Sequence, residues 1–175
     1  MHPIIYDVAV SLDGLICGPD GDISQFAHDG PVVNDYRARL GAYATAIMGR
    51  ATYEFGYRYG LEPGQNPYAP MKTYVFSSTL SVPNDAAITV MRTTTAEAVK
   101  TLRHEANGPV YLCGGGAFAG ALLEMGLIDQ LCLKRAPFVM GAGTSLFGDH
   151  TKTCRLKRLE TKPYDNGYLL ERFET

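Results

Sequence analysis

The 175 residues carry 16 basic and 18 acidic side chains, a net charge of −2, and 46% of them are apolar. That length suits one domain over residues 1–175 with a core wide enough for a full sheet, and the composition excludes a disordered chain. The charge gives no bulk argument for nucleic acid or an acidic membrane as partner, no run reaches transmembrane length, and Met1-His2-Pro3 has no basic or cleavage-like segment, so a cytoplasmic protein is expected.

Ile4 to Val10 reads as an apolar strand interrupted only by Asp7. Ser11-Leu12-Asp13-Gly14 turns out of it, and Leu15-Ile16-Cys17 resumes before the breaker Gly18-Pro19-Asp20-Gly21. Val33, Tyr36, Leu40 and Tyr43 recur at helical spacing and predict a helix over Val32 to Tyr43. Ala44 to Met48 is a short strand, and Arg50 to Tyr57 a short helix or helical turn. Gly60 to Pro70 is a Gly/Pro/Asn-rich loop, and Thr73 to Phe76 and Ala87 to Met91 are strands. Thr95 to Ala106 is a helix with Thr94 or Thr95 as its N-cap and Glu97 in its first turn. Val110 to Cys113 is a strand, and Ala117 to Met125 a helix closed by Gly126. Asp129 to Ala136 is a strand, Pro137 to His150 a loop, and Arg155 to Lys162 and Tyr168 to Phe173 a hairpin around Asn166-Gly167. Alternating strands and helices predict an α/β fold of three layers: a mostly parallel central sheet, helices on both faces, and an antiparallel C-terminal hairpin.

Cys17, Cys113, Cys132 and Cys154 are dispersed, and Cys113 and Cys132 lie in apolar runs as small buried hydrophobes, so no disulfide framework is expected. The histidines show no metal-ligand spacing, and no metal site is expected. The strand, then Gly114-Gly115-Gly116, then a helix starting at Ala117-Phe118, is the arrangement that brings bare backbone N–H groups against a phosphate. The glycines also formally match the dinucleotide fingerprint of a Rossmann domain. That fingerprint belongs to a first βα turn, whereas here only about one further crossover precedes the closing hairpin, and no acid ends the next strand. No Gly-Lys-Ser/Thr follows, which excludes a P-loop. Three more segments sit at predicted strand ends, where an open α/β sheet binds ligands: Ser11 to Gly14, Met48 to Glu54 and Phe76 to Thr79. Arg50 beside Gly49 and Thr52 can hold a phosphate at two points, with hydroxyls at Ser77, Ser78 and Thr79 close by in kind.

In their joint order these motifs resemble the dihydrofolate-reductase-like superfamily, in the branch of the reductase domain of bifunctional riboflavin biosynthesis proteins and its stand-alone relatives. The resemblance spans almost the whole chain: S-L-D-G at Ser11 to Gly14, M-G-R-x-T-Y-E at Met48 to Glu54, Ser77-Ser78, Gly114 to Gly116, and P-x-x-x-G-x-G-x-x-L-F from Pro137 to Phe147. It implies an oxidoreductase that takes NADPH and reduces a small heterocycle, such as a 5-amino-6-(5-phosphoribosylamino)uracil-like pyrimidine or a pterin. By the same resemblance Arg50 pairs with the adenosine 2′-phosphate, helped by Ser77, Ser78 and Thr79, and Gly49 and Thr52 contact the pyrophosphate region. Gly114, Gly115, Gly116, Ala117 and Phe118 wrap the pyrophosphate and nicotinamide ribose, with a cis bond at Gly114-Gly115. Ala9 and Ile16 flank the nicotinamide, Asp13 is the candidate catalytic contact beside the substrate, and a homodimer is implied. The chain departs from dihydrofolate reductases proper in having no tryptophan, and Asp22, Asp29 and Asp35 give no clear counterpart to their pterin-holding acid.

Plainer readings stand beside these. Arg50 can pair with Glu54 across one helical turn, Asp13 can stabilise its own turn, and glycine triplets serve tight helix–sheet packing. The aromatic residues Tyr53, Phe55, Tyr57 and Tyr59 suit packing or a subunit contact. A non-catalytic nucleotide-binding module that kept the fold is the competing reading of the whole chain.

Overall fold

The computed structural model describes residues 1–150 and 152–175. Alternation in Ile4–Val10 (β1) puts Ile4 and Tyr6 on one face of the strand and Asp7 on the other, as the two-residue period requires. The chain continues through Leu15–Cys17 (β2), Pro31–Leu40 (α1), Thr45–Gly49 (β3), Arg50–Phe55 (α2) and Lys72–Phe76 (β4). Thr89–Met91 (β5), Ala96–Glu105 (α3), Val110–Gly114 (β6) and Gly116–Glu124 (α4) follow. Gln130–Arg135 (β7), Thr144–Ser145 (β8), Lys157–Pro163 (β9) and Leu169–Glu174 (β10) complete it.

The main sheet runs β5-β4-β3-β6-β1-β7-β10-β9. Its pairings are parallel from β5 to β7, and the hairpin β9–β10 joins antiparallel to β7. One face packs Val99 and Leu102 of α3 and Phe118, Ala119 and Leu122 of α4 against Ile4, Tyr6, Leu112 and Leu131. The other carries α1 and α2, with Tyr36, Leu40 and Tyr53 against Ala46, Met48 and Tyr111, and Val32 against Cys132 and Leu170. This is the expected three-layer α/β architecture, a mostly parallel sheet with an antiparallel end.

Local chemistry explains the boundaries. Thr95 caps α3 by accepting from the Ala98 N–H at 3.2 Å. Gly167, at φ +83°, supplies the left-handed residue of the turn between β9 and β10. Two expectations shift. Helix α1 starts at Pro31 and ends at Leu40 rather than Tyr43; Tyr43 leaves the helical path and turns inward, donating from its hydroxyl to Asp7 Oδ2 at 3.1 Å. The loop expected over Pro137 to His150 contains β8, which pairs antiparallel with β2; two residues are too few to show a period.

Candidate active site

In the parallel part of the sheet the register aligns Met48 of β3 with Gly114 of β6, and Gly49 with Phe76 of β4. The segments after β1, β3, β4 and β6 therefore leave the sheet along one rim, the side on which open α/β sheets bind ligands. On this rim Arg50 Nη1 donates to Thr79 Oγ1 at 2.6 Å, joining the segments after β3 and β4. Ser77 Oγ accepts the N–H groups of Thr79 and Leu80 at 3.2 and 2.9 Å and shapes that turn. The Gly114–Gly115 peptide is cis. A Cβ on Gly115 would stand 3.0 Å from Thr52 Oγ1, so the start of α2 and the glycine turn touch. Helix α4 begins at Gly116 with no side-chain cap, which leaves its first N–H groups available to an anion.

Several of these residues also have intramolecular contacts of their own. Arg50 Nε also donates to Glu54 Oε1 at 2.8 Å, so the helical-turn pair exists alongside the Thr79 contact, and the guanidinium side chain stays 45% exposed. Gly116 is required by the chain itself: a Cβ there would lie 2.1 Å from the Ser145 carbonyl oxygen. The Phe118 side chain is core, its ring 4.9 Å from that of Phe76 and its Cβ 3.2 Å from where a Gly49 Cβ would be. Only the backbone of Phe118 can serve a ligand. Ala117 and Ser78 are exposed on the rim. The aromatic run divides: Tyr53 is buried and donates its hydroxyl to the Gln65 carbonyl at 2.9 Å, while Tyr59 is exposed.

Asp13 is a clasp. Its Oδ1 accepts from Ser11 Oγ at 2.6 Å and from the Met140 N–H at 3.0 Å, and its Oδ2 accepts from the Gly141 N–H at 2.7 Å. The Met140 amide, the Ser11 hydroxyl and the Gly141 amide hold its carboxyl down to about 2. The carboxylate thereby ties the loop after β7 to the turn after β1, and it is not among the residues lining the cavity described next.

That cavity, of about 490 Å³, lies between the sheet and α1. Ala9 and Ile16 line it, as do Val33 and Tyr36 of α1. Cys113 also lines it, one residue before Gly114 opens the glycine turn, so the cavity ends next to the rim along β6, although neither Arg50, Thr52 and Ser77 to Thr79 nor Gly114 to Phe118 line it. Its charged interior was missed in the sequence. The register sets Ala9 opposite Lys134 and Asp7 opposite Cys132, which makes Asp7 and Lys134 diagonal neighbours on one face. Lys134 Nζ donates to Asp7 Oδ1 at 2.5 Å and lies 3.9 Å from the centroid of the Tyr36 ring. Arg39 of α1 donates Nε to Asp7 Oδ2 at 2.8 Å and Nη2 to Oδ1 at 3.2 Å. Burial opposes ionisation of Asp7, but Lys134 and Arg39 outweigh it and hold its carboxyl below the usual range. Burial pushes the Lys134 ammonium down, and Asp7 offsets this only in part. Tyr36 and Tyr111 share a hydroxyl–hydroxyl hydrogen bond of 2.7 Å, and the Tyr68 hydroxyl lies 3.0 Å from Cys113 Sγ. Burial raises these phenols and the thiol, which stay protonated. The one legible signal was a charge inside each of two apolar strands, Asp7 and Lys134; their pairing was not.

The parallel sheet with its antiparallel end, and a rim of glycines, hydroxyls and one arginine beside a polar-floored cavity, is a dihydrofolate-reductase-like arrangement. The RibD C-terminal domain model matches residues 3–170, and the chain belongs to that family. It is 27% identical over 173 residues to the uncharacterized protein YyaP of Bacillus subtilis, covering 94% of this chain and 90% of that protein. A Shewanella sp. PV-4 protein described as a riboflavin biosynthesis protein superposes with a TM-score of 0.82 at 20% identity, over 99% of this chain and 98% of that one. Dihydrofolate reductase from Enterococcus faecalis, complexed with NADP(H), superposes with a TM-score of 0.70 at 18% identity, over 98% and 95%. At these identities the two structures show the shared fold.

Proposed function

We propose that this chain is a reductase that binds NADPH along the rim and reduces a small heterocyclic substrate in the adjoining cavity. Membership of the RibD C-terminal domain family and the fold shared with an NADP(H)-bound dihydrofolate reductase support the reading. The observation that carries it is the half-exposed Arg50 joined to Thr79 at the rim, beside Thr52 and the glycine turn. The donor set fits the cofactor: a guanidinium, the hydroxyls of Thr52, Ser77, Ser78 and Thr79, and the uncapped start of α4 all favour phosphate oxygens. When bound, the cofactor supplies hydride. Arg50 and Thr79 would hold the adenosine phosphate, and Gly114, Gly115 and Ala117 the pyrophosphate through backbone N–H groups. Ala9 and Ile16 would border the reacting ring and keep water from it, because reaction there depends mainly on placement in a dry pocket.

The test is titration of NADPH and NADH into the native chain and Arg50→Ala. The expected result is a loss of NADPH affinity of at least about tenfold, or 1.4 kcal/mol, with NADH affinity little changed. An unchanged preference would remove Arg50 from the site, and no NADPH binding by the native chain would remove the reading.

A further inference from the structure

Resting on that reading, we propose that Lys134 is the proton donor of the reaction, and that the cavity selects a flat ring presenting a carbonyl or imine acceptor over one presenting an aminopyrimidine edge. A ring edge of amino and ring N–H donors needs a carboxylate with free lone pairs. Asp7 is the one carboxylate that lines the cavity among the described residues. It is filled: Oδ1 accepts from Lys134 and Arg39, and Oδ2 from Arg39 and the Tyr43 hydroxyl. Four bonds exhaust the acceptor sites of a carboxylate. Lys134 is in the opposite condition. Its ammonium has three donors; one goes to Asp7 and one side faces the Tyr36 ring, while the residue lines the cavity opposite Ala9. The spare donor calls for an acceptor on the ligand.

The charge balance agrees. One carboxylate faces two cations, leaving a buried positive charge where a reduced acceptor gains electron density. Hydride from the donor proposed above forms a C–H bond at the carbon of C=O or C=N. The π pair moves onto the oxygen or nitrogen, which takes a proton from Lys134 Nζ. The product is the alcohol or amine, the donor is oxidised by two electrons, and Lys134 is left a neutral amine that regains its proton from solvent. Burial, which makes the ammonium a readier acid, suits it to this step. Asp7 and Arg39 are positioning residues: they fix the lysine and touch no reacting atom.

The experiment uses the full chain without cofactor and two bicyclic probes of matched shape, 2,4-dioxopteridine and 2,4-diaminopteridine, at a pH where both are neutral. The native chain should bind the dioxo ring at least about tenfold tighter, a difference of 1.4 kcal/mol. Lys134→Met should abolish that preference and Lys134→Arg, which keeps a charged donor, should retain it. Equal or reversed preference in the native chain overturns the selection, and that comparison decides even where Lys134→Met fails to fold. Proton donation is read by NMR of lysine labelled with carbon-13 at Cε. The Lys134 signal, flanked by Asp7, Arg39, Tyr36, Tyr43, Cys132 and Cys113, should titrate below the other lysines; titration among them overturns the assignment. Failure of NADPH binding would sink the reductase reading and leave the ring preference standing, whereas a reversed ring preference would leave NADPH binding intact.

Discussion

The Ser145 carbonyl oxygen lies 2.1 Å from the point that a Cβ on Gly116 would occupy, and the Gly148 nitrogen lies 3.0 Å from it. The second and third glycines of the turn therefore do different work. Gly116 lets the segment of β8 close against α4, whereas a Cβ on Gly115 would meet, within 4 Å among the described residues, the Thr52 hydroxyl at 3.0 Å.

Gly116→Ala must move backbone and should cost about 1–3 kcal/mol, the usual range for overpacking. Gly115→Ala meets a side-chain atom at an extended φ of −85°, and should cost less than half as much while weakening NADPH binding. Urea melts of the two variants, with NADPH titration of each, check the division. Equal destabilisation would contradict it.

The Asp13 clasp predicts a local effect with a defined pH dependence. Its folded value of about 2 lies below the ordinary 3.8, so its contribution is complete above the ordinary value and is lost as pH falls through the folded one. At neutral pH, Asp13→Ala should deprotect the Met140 and Gly141 amides in hydrogen exchange, with little change in helix α3. In the native chain those two amides should keep their protection down to about pH 4. Unaltered exchange at both amides in the variant would show that the loop holds its place without the carboxylate.

The Asp7 cluster predicts strong coupling. Asp7→Asn leaves the buried Lys134 and the partly exposed Arg39 facing a neutral group and should destabilise by about 3–5 kcal/mol, the range for breaking a buried pair. Lys134→Met leaves Asp7 with Arg39 and Tyr43, so it should cost less. The double variant should fall well short of the sum, because the Asp7–Lys134 contact is then missing only once. Chemical denaturation of the three variants closes the cycle, and additive effects would show that the two side chains act independently.

Order and type of elements were legible where periodicity was long. The strand over Ile4 to Val10, the helix capped by Thr95 and the hairpin at Asn166-Gly167 all stand where the pattern put them. β8 was not, since two residues carry no period and its partner β2 is remote in sequence. The rim residues were found through motifs at strand ends. That Arg50 stands beside Thr79 was implied only by the family resemblance, and the approach of Thr52 to Gly115 was not legible, because both pairs meet through sheet register. Arg50 and Asp13 also show that a functional and a structural reading of one side chain can share an atom set: each has intramolecular partners that the local sequence already offered.

By itself the sequence determined the α/β alternation, the antiparallel ending and a set of polar and glycine residues at the strand ends, because these depend on local period and backbone freedom. The tertiary structure decided which charges share an interior. Asp7 and Lys134 lie 127 positions apart and meet only because β1 and β7 are parallel neighbours with one register, and Arg39 reaches them only because α1 crosses that face. A one-residue slip in either strand would turn its charge to the opposite face, so the cluster depends on the register of the folded sheet.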